Sequence, residues 1–146
     1  MRLVLALLAI TACGAAQSRA EYVGGTAAGI ESGNRGSIDV SDQRYLAFYT
    51  GKEQIRVRYD RIDLLEYGQK VDRRLLMAVV ISPMFLLSKR RKHFLSIGYV
   101  DDDGNHQAMV FRVDKNDIRA TLVSLEARTG LKIQYQDEEA RKAGKG

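Results

Sequence analysis

Apolar and polar residues alternate most strictly over 54–59, with Ile55, Val57 and Tyr59 on one side and Gln54, Arg56 and Arg58 on the other. A period of two is that of a strand with one face buried and one in water. The neighbouring run YLAFYT at 45–50 is rich in aromatic residues and predicts another strand, joined to the first by a turn at Gly51-Lys52-Glu53. Asp60-Arg61 makes a tight turn into IDLLEY at 62–67, and SIDV at 37–40 predicts a weaker strand ahead of them. FLSIGYV at 94–100 and QAMVFRV at 107–113 flank Asp101-Asp102-Asp103-Gly104-Asn105, whose Asp-Gly and Gly-Asn steps suit a hairpin turn. The period then changes. Ile118, Leu122 and Leu125 recur at helical spacing, Asp114 is placed to cap the helix, Asp117 lies in its first turn, and Gly130 is placed to end it. LKIQY at 131–135 predicts a short last strand, and the charged segment 136–146 predicts a fraying tail.

One stretch breaks the pattern. From Arg73 and Arg74 to the basic run Lys89, Arg90, Arg91, Lys92, His93 there is no charge, only apolar residues with Ser82, Pro83 and Ser88. As a helix, fourteen such residues reach about 21 Å at about 1.5 Å each, short of a hydrocarbon core of roughly 30 Å. Pro83 would kink it, and both borders are basic, where a span shows a bias to one side. The insert, 71–88, therefore has three readings. A helix over 71–82 covers one open end of the sheet as core or as an oligomer contact. Alternatively the segment dips into one leaflet, or it spans. Leu75, Leu76, Val79 and Val80 share one side of such a helix, but Met77, Ala78 and Ile81 occupy others, so it lacks a polar back. The candidate membrane or partner contacts are thus Arg73, Arg74, Leu75, Leu76, Val79 and Val80, then Met84, Phe85 and Leu86, then Lys89, Arg90, Arg91 and Lys92. The cations would sit among anionic headgroups and the apolar centre in the interface.

Composition narrows the setting. The 146 residues suit one domain, 45% hydrophobic and 28% charged. The net charge is +5; Arg2 and Arg19 lie in a leader without acids, and leaving them out gives +3 from Glu21 onward. That is too mild, and too concentrated at the insert, to point to nucleic acid. Met1-Arg2 followed by LVLALLAITACGAA reads as an export signal over 1–20, cut after Ala20 or after Ala16. Ile10-Thr11-Ala12-Cys13 also resembles a bacterial lipobox, which makes Cys13 a candidate lipidation site. Five glycines between Glu21 and Gly36 predict a linker over 21–36 with at most a short strand at Tyr22-Val23. The folded domain is then 37–135.

Strands followed by a C-terminal amphipathic helix, at 37–67, 94–100, 107–113 and 115–129, resemble the layout of pleckstrin-homology-like domains, including GRAM-like and bacterial forms. The phrases Leu64-Leu65-Glu66-Tyr67-Gly68-Gln69-Lys70 and Leu125-Glu126-Ala127-Arg128-Thr129-Gly130 are similar to those of small exported bacterial proteins. The resemblance implies an α+β fold: an antiparallel β meander or half-barrel with one C-terminal helix and a short apolar helical insert between strands. It also implies lipid-headgroup or peptide binding. The family's lysine and basic-x-arginine signature maps to Lys52, Arg56 and Arg58, which equally serve as the solvated face of a strand. The insert and the strand after the helix depart from the layout.

No motif carries chemistry. His93 lies in a basic run and His106 follows a turn, both expected at the surface with no nucleophile beside them. One cysteine and two histidines are no zinc set. In the acidic run 101–105 the glycine is fourth and the twelfth residue is Arg112, unlike a calcium loop. The expected protein is a non-enzymatic, cofactor-free, membrane-associated module of the bacterial cell envelope, exported to the periplasm or an envelope membrane. It touches a membrane surface or, as the alternative, acts in assembly by using the insert against an envelope protein. Its oligomeric state is open.

Overall fold

The computed structural model describes residues 17–27, 29–51, 53–70, 80–81 and 92–145. Its strands are β1 (Gln17–Gly25), β2 (Arg35–Asp39), β3 (Tyr45–Thr50), β4 (Gln54–Arg58), β5 (Ile62–Gly68), β6 (Val80–Ile81), β7 (His93–Val100), β8 (His106–Val113) and β9 (Gln134–Tyr135). A 3-10 turn, Tyr59–Arg61, links β4 to β5, and two helices follow β8: α1 (Ile118–Thr129) and α2 (Glu138–Lys145). The strands form one open sheet in the order β4-β3-β2-β1-β8-β7-β5-β9, with β6 added to β1. All pairings are antiparallel except β5 with β9, so the sheet is mixed and the fold is α+β.

Two hairpin runs meet at its centre. β1 to β4 form one meander, β7 and β8 a hairpin that β5 extends, and β1 against β8 is the seam. In this arrangement β1 holds β2 along Gln17–Glu21 and β8 along Ala20–Gly25. Inward residues of the sheet bury a shared core: Tyr22 packs edge-on to Phe111 at 5.7 Å, and Phe48 lies 4.9 Å from Phe111. Ile118, Leu122 and Leu125 of α1 close that core, as their spacing predicts. Gly130 ends α1 at φ 74°, and Gly104 turns the β7–β8 hairpin at φ 85°.

Several expectations are corrected. Residues 21–36 are no linker: they supply the second half of β1 and the start of β2. Gly25 is required by close approach, since a Cβ there would run into the Ala108 carbonyl and the Tyr22 hydroxyl. Its meaning was packing, which composition reads as looseness. The expected boundary at Ala20 falls inside β1. Ser18 is buried on Thr121 of α1 at 2.6 Å, and the Arg19 backbone N–H donates to Asp117 Oδ2 at 2.9 Å. α1 starts at Ile118 rather than 115: Asp114 opens the turn ahead of it, its Oδ1 accepting the Asn116 N–H at 3.0 Å, while the Asp117 carboxylate serves β1.

The fraying tail is replaced by α2. Asp137 Oδ1 accepts the Ala140 N–H at 2.6 Å, acids fill the first turn, lysines the last, and Ala140 is fully buried. Gly144 lets the helix press close: an added Cβ would sit 2.7 Å from Tyr135 and 3.4 Å from Tyr67. The single C-terminal helix expected from the pattern is thus a pair. Finally, a helix does not run through to Ser82, because Val80–Ile81 pairs as β6 with Gly24 and Gly25. The backbone there continues β1's free edge, where β2 has already turned away. The rest of the insert, 71–79 and 82–91, lies outside the described residues.

Candidate functional site

At the seam, the outward face of the sheet carries a row of charge. Register places Glu21 of β1 opposite Arg35 of β2 on one side and opposite Arg112 of β8 on the other. Opposite charges directly across strands attract, and here both guanidiniums reach the same Glu21 Oε2, Arg35 from 3.6 Å and Arg112 in close contact. The Glu21 side chain is only 11% exposed, so Arg112 beside it meets a carboxylate with little water to compete.

Beside this row opens a cleft of about 480 Å³, whose lining includes Ala20, Gly36 and Val113. Arg19 stands at one wall, bound to Asp114 at 3.2 Å and reaching Asp117 at 4.0 Å. Lys92, His93 and Lys115 complete it. Among the described residues, five cationic side chains therefore line the cleft against two carboxylates, Glu21 and Asp114. Burial holds the His93 imidazole below its ordinary pKa, Lys115 pushes the same way, and Asp114 pulls back. His93 is no surface histidine: its Nδ1 shares a 2.5 Å hydrogen bond with the Tyr67 hydroxyl and its ring stacks on Tyr67. Tyr67, fully buried, is pushed up to about 12 by desolvation, so its hydroxyl keeps its proton.

Of the expected site residues, Lys92 lines this cleft and Val80 lies in β6. Arg73, Arg74, Leu75, Leu76, Val79, Met84, Phe85, Leu86, Lys89, Arg90, Arg91 and Cys13 lie outside the described residues, as does Lys52. Arg19, Glu21, Arg35, Arg112 and Lys115 were missed. The first three sit in segments read as leader and linker, and the Glu21–Arg112 pair spans 91 residues.

The β4 face differs. Arg56 lies over the Tyr45 ring at 4.6 Å and 4.0 Å from Asp42, and Arg58 Nε donates to Asp60 at 2.9 Å. Backbone N–H groups of Arg44 and Tyr45 hold the Asp42 carboxyl below its usual range, and Arg58 does the same for Asp60. His106 is exposed and contacts Asp63 at 3.0 Å. Asp101 accepts N–H groups from Asp103, Asn105 and Gln107, which makes the acidic run a self-bonded turn. Among the described residues no group of His, Cys, Asp or Glu is arranged to hold a metal, and no helix is long and apolar enough to cross a membrane. No family model matches the chain, and no curated protein matches it.

Proposed function

We propose that the protein is a non-catalytic module of the bacterial envelope that docks on an anionic membrane surface, with a pleckstrin-homology-like arrangement as its scaffold. The observation that carries this is the excess of cations in the seam cleft, continuous in sequence through Lys92 and His93 with the basic border of the apolar insert. Cations gathered on one face attract a negative surface, and an apolar segment beside them adds burial at the interface. Strands followed by α1 across an open sheet support the scaffold; β9 and α2 are additions to it. Export fits best with processing ahead of Gln17, at Ala16 or by lipidation of Cys13, because removal of 17–20 takes Ser18 from Thr121 and Arg19 from Asp117.

Vesicle flotation of the full chain tests the docking. The expected result is that it rises with vesicles containing phosphatidylglycerol, stays down with zwitterionic ones, and loses flotation in Leu76→Asp plus Val80→Asp. Wild-type protein that stays at the bottom with both vesicle types overturns the reading. A second reading, assembly through the insert, has one observation in its favour: β6 fastens residues 80–81 to the sheet edge at Gly24 and Gly25. Oligomers surviving in native mass spectrometry without lipid favour that reading instead. Intact-mass measurement of the exported form decides the processing site.

A further inference from the structure

We propose that the seam cleft is a discrete binding site for one phosphate group, as a monoester or diester carrying a small polyol, held by Arg35, Lys115 and Arg19. The proposal deepens the docking reading and rests on it for its setting. Four separate places in the chain bring the cations together: β1, β2, the entry to β7, and the end of β8 with the loop into α1. Convergence of that kind makes a concave site, unlike a stripe along one strand.

Size and lining select the ligand. A volume of about 480 Å³ lies within the range of small-molecule sites and holds a headgroup-sized anion. Guanidinium offers several N–H donors in one plane and matches phosphate oxygens in pairs, while ammonium acts as a point charge; the cleft has both. Engaging one Glu21 oxygen does not exhaust the donors of Arg35, whose side chain is 84% exposed. Glu21 fixes the two flanking arginines in place, and Asp114 fixes Arg19. A nucleotide is a poorer fit. Single-stranded nucleic acid is held by bases stacked on aromatic rings, and among the described lining residues the one ring, His93, is stacked on Tyr67.

Isothermal titration of the full chain at low ionic strength with sn-glycerol 3-phosphate, and separately with inorganic phosphate, tests the site. One equivalent is expected to bind, about tenfold more weakly in Arg35→Gln plus Lys115→Gln and unchanged in Arg56→Gln on the β4 face. No saturable binding of either anion overturns the proposal, as does equal loss in the Arg56→Gln control or wild-type affinity in the double variant. Flotation with phosphatidylglycerol vesicles separates the sources: competition by excess glycerol 3-phosphate identifies a lipid headgroup, and soluble binding without competition identifies a free phosphate compound. Leu76→Asp plus Val80→Asp abolishes flotation and leaves glycerol 3-phosphate binding intact, so the docking reading and the phosphate site fail separately.

Discussion

The described residues carry two clusters of arginine, and they are built differently. On the β4 face each of Arg56 and Arg58 has its own nearby acid, Asp42 and Asp60, supplied from the adjoining turns. The segment closes its own charge locally and stays exposed. At the seam, partners come from distant strands, one carboxylate oxygen serves two guanidiniums, and cations outnumber acids. The lesson concerns local balance. A count of basic residues would rank the two faces alike, yet the seam gathers its cations around a concave cleft that includes one ion pair, Glu21 with Arg112 at 11% and 28% exposure, which solvent screens less.

The contrast can be broken most strongly from behind. Gly144→Val places side-chain atoms where Tyr135, Leu122 and Tyr67 already stand, and Tyr67 is what holds His93 in the cleft. A loss of up to about 3 kcal/mol in denaturant unfolding is expected from overpacking, with the His93 ring resonances shifted and those of the Tyr45 ring unmoved. Next comes Glu21→Gln. It leaves Arg112 against a neutral amide at a site with little water, and about 2 kcal/mol should be lost. Asp60→Asn, its counterpart on the exposed face, should leave the thermal midpoint where it was.

A pH series sharpens the comparison further. His93 has its folded-state pKa below the ordinary histidine value of 6.5, so as pH falls through 6.5 the unfolded chain takes up the proton first. Stability therefore declines from pH 6.5 downward until the folded-state pKa is passed, and His93→Gln should flatten that part of the curve. Exposed His106, beside Asp63, provides the control: His106→Gln should leave the decline in place. The smallest effect is on stability under salt. Raising ionic strength should weaken phosphate binding at the seam while barely moving the unfolding midpoint.

Local pattern was enough for much of the fold. Tyr45–Thr50 and the strand after it announce themselves by alternation, and Gly104 and Gly130 by the positive φ that their turn and cap require. The α1 stripe was equally plain, because Ile118, Leu122 and Leu125 are large and evenly spaced. α2 was hidden by size: its buried contacts are Ala140 and Gly144, which no hydropathy pattern marks, although Asp137 and the charge order along the helix were visible signals. The cleft was hidden for another reason. Glu21 and Arg112 meaningfully pair only once β1 and β8 are in register, and Gly25 near them is there for close packing with Ala108 and Tyr22. Among the cleft residues Lys92 and His93 stood out through the basic run they end, and Asp114 only as a helix cap.

The central strand of the sheet is the earliest described piece of the chain to leave the ribosome, and the partner that completes it arrives 91 residues later. Contacts that distant close slowly, so the growing polypeptide spends its synthesis without its middle seam. A nascent chain kept unlocked in this way remains threadable, and it locks only when its far half has followed.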